Sequence, residues 1–344
     1  MARPHRIDLA PLTQWITAAA LQQPQALPEL LMQRLAIGRR AAGRLLQRLA
    51  AAQWLSVEGT PRRRRYRPGA LRQVVVRYAL AGLQEDQAWR RDFAPCLLLP
   101  AEVQRMAQHA FTELVDNAVE HSGGTQLTVS LRQTPLQLQL LVSDDGCGLF
   151  RHVARHCAID EPALAMLELA KGKLTSAPAR HCGRGLCFTS RLADVFDVHA
   201  DGAGFQRRAW QPGQWHASGT ALAGRAGTSV YLAIALDTPR TLDGVLRAAS
   251  LDGRGYGFET TRVPLGLLTA GSGLLASRAD ARRVVARLAQ FRRVELDFAG
   301  IDAIGHGFAD ELLRVFGGAH PEVALVPVSA GPRVAAMLQA AAAG

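Results

Sequence analysis

The chain has 344 residues, of which 48% are hydrophobic and 20% charged, ample apolar material for two or three globular units. No apolar run reaches about 18 residues and no secretory segment opens the chain, which argues against a membrane span, and five cysteines without framework spacing suit a reducing, cytoplasmic setting. The net charge of +11 is uneven: the first 91 residues hold 16 arginines against five acids, whereas the remainder balances 24 against 24. A field concentrated in this way is the footprint expected of a module that binds a polyanion.

Residues 9–21 and 26–36 read as two helices, the second with Pro28 in its first turn. After Ile37-Gly38, residues 39–52 read as a third helix. Its Leu45, Leu46 and Leu49 point inward, and Arg39, Arg40, Arg44, Gln47 and Arg48 supply a basic outer face. Residues 54–57 and 64–67 would pair as a hairpin around Gly59-Thr60-Pro61, carrying Arg62, Arg63, Arg64, Arg65 and Arg67. Three helices and a basic hairpin resemble a winged helix-turn-helix domain over residues 1–68. The resemblance implies that the third helix enters the major groove of DNA while the wing touches phosphates. Residues 69–95 read as a helical connector.

The next unit, residues 96–237, carries the chemistry. Glu113, Asn117 and His121 recur every four residues and so share one stripe of a helix. Phe111, Leu114, Val115, Ala118 and Val119 give that helix an apolar face. A carboxylate beside an amide suits a metal–phosphate site, the amide oxygen for a hard cation and the carboxylate for positioning or deprotonating a nucleophile. Beyond Gly123-Gly124 the period changes to two, through Leu127, Val129 and Leu131 and then Leu136, Leu138 and Leu140, predicting two strands. Asp144-Asp145-Gly146-Cys147-Gly148 ends the second strand in a turn whose glycines let backbone lie close to a ligand. Gly183-Arg184-Gly185-Leu186 opens an apolar helix over 186–196, and such a start offers backbone N–H groups to an anion. Gly227-Thr228 leads into a strand over 229–236.

These motifs, in this order and roughly 30–40 residues apart for the first three, resemble the GHKL ATP-binding fold of histidine kinases, anti-sigma-factor kinases, gyrase B and MutL. The resemblance implies a Bergerat-type α/β sandwich that binds ATP with Mg²⁺. Glu113 would be the catalytic base or water-positioning group, Asn117 the magnesium ligand and Asp144 the acceptor for the adenine amino group. Thr228 would sit beside that aspartate, while Gly146, Gly148, Gly183, Arg184, Gly185 and Leu186 would form the nucleotide loops. His121 resembles the histidine of the anti-sigma kinases, although capping or packing the helix end would equally place it there. Residues 150–182 would form a lid holding Lys171 and Lys173, the only two lysines of the chain. In some members a lid lysine reaches the terminal phosphate; two solvated loop lysines are the alternative. Cys147, His152, His156, Cys157, His181, Cys182 and Cys187 gather in the same stretch, but without a Cys-x-x-Cys pair they favour ordinary packing over zinc.

Residues 238–252 read as a linker. Beyond it, an irregular strand over 256–268, a helix from the Ser277–Asp280 capping box, a strand over 294–298, a helix over 308–316, a strand over 323–328 and a last helix over 332–338 alternate as a small α/β unit. Ser277-Arg278, Leu296-Asp297-Phe298 and Gly305-His306 through Leu312 resemble the STAS-like domain of unknown function, here 253–344. In circuits that pair a GHKL kinase with a STAS protein, the kinase phosphorylates a serine, but none stands near His306, which would accept a phosphoryl group or merely pack.

The expected architecture is therefore an α+β multidomain chain: winged helix, Bergerat-type sandwich and STAS-like α/β domain. The expected function is an ATP-binding regulator, with a GHKL ATPase controlling a DNA-binding winged helix. Two alternatives stand beside it: a protein serine or histidine kinase of anti-sigma type, and a non-catalytic nucleotide-binding scaffold. Expected partners are DNA and a protein engaged through the STAS-like unit, with no membrane and with a homodimer left open.

Overall fold

A computed structural model of the chain describes residues 7–174, 183–211, 215–218, 225–269 and 274–343. It is an α+β molecule whose buried apolar side chains form two cores.

The smaller core belongs to the basic N-terminal region. Helices α1 (Ala10–Thr13), α2 (Ile16–Gln22), α3 (Leu27–Leu35) and α4 (Arg39–Ala51) precede a hairpin of β1 (Leu55–Thr60) and β2 (Arg63–Pro68). Leu12, Ile16, Leu27, Leu31, Leu45, Leu46 and Leu49 bury their side chains together under Trp54 and Tyr66. The helix expected over 9–21 is broken at Trp15. That break frees the Gln14 carbonyl, which accepts the N–H of Val75 at 3.1 Å.

Val75 lies on β3 (Arg72–Ala79), where a helical connector was expected. The run Val74-Val75-Val76 and Tyr78 favour a pleated strand, because β-branched and aromatic side chains pack well there. The chain turns helical only afterwards, in α5 (Glu85–Ala88) and the π and 3₁₀ turns Trp89–Phe93 and Ala94–Cys96. These turns set the rings of Trp89 and Phe93 against Phe111, at 5.3 and 5.2 Å, and so anchor helix α6 (Ala101–His121).

Strand β3 is one edge of a seven-stranded antiparallel sheet. Next come β4 (Gln126–Gln133) and β5 (Gln137–Asp144). Helices α7 (Leu149–Cys157), α8 (Pro162–Lys171) and α9 (Gly185–Leu192) follow in sequence. They are followed by β6 (Val195–Ala200), β7 (Ala203–Arg208), β8 (Trp215–Ser218) and β9 (Thr228–Ala235), giving the order β3-β4-β5-β9-β6-β7-β8. The helix expected over 186–196 stops at Leu192. Phe196, Val198 and Ala200 alternate inward from β6 instead, the period-two signature of a half-buried strand. Leu138, Leu140 and Val142 on β5 bury against α6, while α9 packs beside α6.

The expected linker is also ordered. Thr241 caps α10 (Leu242–Arg247) by accepting the Gly244 N–H at 3.0 Å, and Ala249 is fully buried. The C-terminal region then builds a parallel sheet β10-β12-β14 from β10 (Thr260–Pro264), β12 (Arg293–Asp297) and β14 (Ala324–Val328). A parallel pair, β11 (Leu274–Leu275) and β13 (Ala303–Ile304), lies apart from it. Helices α11 (Arg278–Val285), α12 (His306–Asp310), α13 (Gly317–Ala319) and α14 (Pro332–Ala343) complete the region. Its apolar side chains continue the core of the central sheet without a gap.

Candidate functional site

Val103, Met106, Ala107, Ala110, Phe111, Leu114, Val115 and Ala118 bury the apolar face of α6, and Glu113, Asn117 and His121 stand beside it along one edge. Val119, expected among these, is 38% exposed. Between α6, α7, α9 and the sheet lies a cavity of about 330 Å³, within the range of about 300–1,000 Å³ usual for small-molecule sites. Glu113, Asn117 and His121 line it from α6, and Asp144 and Thr228 from the ends of β5 and β9. Gly148, Gly183, Arg184, Gly185 and Leu186 close it from the two glycine turns. Ten of the thirteen sequence-predicted catalytic and nucleotide positions thus meet in one space.

Asp144 is only 7% exposed, and its Oδ1 accepts the backbone N–H groups of Gly146 at 2.9 Å and Thr228 at 3.2 Å. Burial pushes its carboxyl above the usual range, and the two N–H bonds oppose that shift. Gly227 lets the strand come this close. It holds φ +85°, and a Cβ there would stand 2.1 Å from the Asp144 carbonyl oxygen. Gly146 does not line the cavity. It packs its turn on the end of α6, where a Cβ would stand 2.3 Å from the Ser122 carbonyl oxygen, and Cys147 N–H donates to that oxygen at 2.8 Å. The neighbouring Asp145 is a turn builder, accepting from the N–H groups of Thr125 at 2.7 Å and Gln126 at 2.9 Å.

The start of α9 faces Glu113. A Cβ on Gly185 would lie 2.2 Å from Glu113 Oε2, so the bare glycine lets the carboxylate sit against the first turn of that helix, and a side chain there would push it aside. The free N–H groups of such a turn favour anions. One turn before Glu113, His109 Nδ1 lies 4.0 Å from Glu113 Oε1, and burial pushes the His109 imidazole below its usual range.

At the other end of the cavity, His121 and His152 set their rings 5.1 Å apart, and His156 stacks on His152 at 4.2 Å. Burial, with His156 and His121 as positive neighbours, lowers the His152 pKa to about 4. The spacing of the motifs did not announce this row, since His152 and His156 come from α7. Among the described residues no group of three or more His, Cys, Asp or Glu side chains could hold a metal ion; His181 and Cys182 lie outside those residues.

The two lysines correct an expectation. Neither lines the cavity. Lys171 is 1% exposed and reaches the Glu168 carboxylate and the Ala286 carbonyl oxygen, the latter at 3.1 Å. Lys173 donates to the Gln290 carbonyl and lies 4.3 Å over the Phe291 ring. Both lysines make these contacts with the C-terminal region and not with residues that line the cavity.

On the N-terminal region Arg39, Arg40, Arg44, Gln47, Arg62, Arg63, Arg64 and Arg65 are exposed. Two expected members of that surface have other bonds: Arg48 donates to the Ile7 carbonyl at 3.0 Å, and Arg67 pairs with Glu58 at 3.5 Å.

Residues 102–266 match the family model of histidine kinase-, DNA gyrase B- and HSP90-like ATPases. Residues 280–335 match the model of the STAS-like domain of unknown function. No curated protein matches the chain. The chain therefore carries a GHKL-type ATPase domain followed by a STAS-like domain.

Proposed function

We propose that the cavity binds Mg–ATP and that its nucleotide state governs DNA binding by the N-terminal region, acting as a winged helix. The convergence of Glu113, Asn117, Asp144, Gly185 and Thr228 on one cavity carries this reading.

The residues fit the ligand. Asp144 would accept the adenine amino group while its own orientation is held by the Gly146 and Thr228 N–H groups. The glycine cradle at Gly185 opens the first turn of α9 to phosphate oxygens. The Asn117 amide oxygen would hold the magnesium ion, which supplies charge neutralisation at the phosphates when bound. Glu113 would orient an attacking water, or a partner hydroxyl, and accept its proton.

The route to the N-terminal region starts at the sheet. Val75 N–H donates to Gln14 O, Gln73 N–H donates to Thr17 Oγ1 at 3.1 Å, and the Arg132 guanidinium lies 5.6 Å over Trp54. These bonds join the basic region to the sheet whose β5 carries Asp144, and nucleotide occupancy would shift the population of DNA-competent arrangements. The exposed arginines of α4 and the hairpin would meet phosphates.

The reading is tested by incubating the full chain with γ-labelled ATP and Mg²⁺, with and without DNA. Free phosphate, together with nucleotide-dependent DNA affinity, supports it. Label transferred to a protein in a lysate would make the chain a kinase instead. Bound nucleotide that is neither hydrolysed nor transferred would make it a scaffold.

A further inference from the structure

Helix α8 has two faces with different neighbours. Leu169, with Leu174 just beyond the helix, lines the cavity. Glu168 and Lys171 turn the other way and are each 1% exposed. Charges so deeply removed from water persist only when paired and hydrogen-bonded. Here the two charges pair with each other along α8, and their further partners come from the C-terminal domain. The Lys171 ammonium donates to the carbonyl oxygens of Ala286 at 3.1 Å and Arg283 at 3.5 Å, two groups that the end of α11 leaves without helical partners. A cation at a helix C-terminus also meets the favourable end of the helix dipole. Arg287 completes the cluster, pairing Nη1 with Glu168 Oε2 at 3.0 Å and donating from Nη2 to the Lys173 carbonyl.

The same few residues touch the glycine turn. Lys173 N–H donates to the Gly183 carbonyl at 2.8 Å, and Thr261 Oγ1 donates to the Lys171 carbonyl at 2.7 Å. A chain of rings runs alongside: Phe188 on α9 lies 5.0 Å from Phe258, which lies 5.4 Å from Phe291. Gly172, at φ +83°, makes room for Phe258, since a Cβ there would stand 2.5 Å from that ring.

We propose that the Glu168–Lys171–Arg287 cluster is a latch by which the docked STAS-like domain holds the cavity wall in its ligand-ready form. Docking and nucleotide binding then strengthen each other by the same factor, and a partner that draws α11 away weakens nucleotide binding. The proposal rests on the nucleotide reading of the cavity.

The test uses the full chain, with Mg–ATP as the probe, in calorimetry and hydrogen exchange. Arg287→Gly removes the guanidinium at a position whose φ of +65° suits glycine, so the local backbone is not strained by the change. Lys173→Ala removes the ammonium from the Phe291 ring as a second, milder opening. The expected result is an affinity for Mg–ATP lowered by about 5- to 150-fold in Arg287→Gly, a smaller loss in Lys173→Ala, and nucleotide-dependent protection of residues 278–291 in the native chain only. Native-like or tighter affinity in both variants, with no protection of 278–291 in the native chain, overturns the latch and leaves the cavity reading intact. Failure of the native chain to bind Mg–ATP overturns the cavity reading instead.

Discussion

The backbone N–H of Thr228 donates to Asp144 Oδ1 at 3.2 Å, joining the ends of β5 and β9 at the rim of the cavity. Gly227 makes this possible, because any side chain there would collide with the Asp144 carbonyl. Gly227→Ala is therefore expected to lower the melting temperature, at a backbone cost of about 1–3 kcal/mol, and to weaken Mg–ATP binding together with it. Thermal melts and titrations on the same preparation check this; a variant with native stability and affinity would mean that the two strand ends need not meet.

Glu113 stands beside the first turn of α9, and on the proposed reading it would be the carboxylate that accepts a proton. Glu113→Ala should cut phosphate release or protein labelling by about 10²–10⁴-fold while Mg–ATP still binds. Undiminished turnover would remove this residue from the chemistry.

Much of this site was legible because its determinants are local. Three polar residues at helical spacing, two glycine turns and period-two strands each announce themselves within a dozen residues, and the fold merely brings them together. The roles of Lys171 and Lys173 were not legible: they depend on carbonyls of α11 and the turn after it, more than a hundred positions away. Strand β3 lies inside the segment 69–95 expected as a helical connector, although Val74-Val75-Val76 signals a strand at its start. The alternation in β6 was likewise absorbed into the preceding helix. Thr241 and Asp243 marked a helix start within the expected linker, but a six-residue helix gives too few turns for its period to show.

On the basic hairpin, Arg63, Arg64 and Arg65 are exposed, whereas Arg67 is paired with Glu58. Replacing the first three with alanine should weaken DNA binding and flatten its salt dependence by about 0.9 in log–log slope for each phosphate no longer neutralised. Arg67→Ala should change the slope less, and Arg48→Ala should act on stability by removing the bond to the Ile7 carbonyl. Binding isotherms across a salt series distinguish these cases; an unaltered slope in the triple variant would mean that the hairpin does not touch phosphates.

The row of imidazoles gives a pH dependence of definite sign. In the folded chain His152 stays neutral down to about 4, whereas an ordinary histidine takes up its proton near 6.5. Between these values the unfolded chain binds more protons, so stability falls as the pH drops from 6.5 towards 4 and this contribution levels off below. His152→Gln should lose that part of the acid sensitivity. Melting temperatures compared at about pH 7 and about pH 5 check it, and an equal decline in both proteins would contradict the assignment.

The most direct test of the central claim is a calorimetric titration of the full chain with Mg–ATP beside its Asp144→Asn variant. Asparagine keeps an oxygen for the Gly146 and Thr228 N–H groups but offers adenine a weaker and differently ordered partner. The expected result is binding by the native chain and a loss of about 1.5–3 kcal/mol in the variant, roughly 10- to 150-fold in affinity. Equal affinity in the two proteins, or no binding by the native chain, would contradict the account.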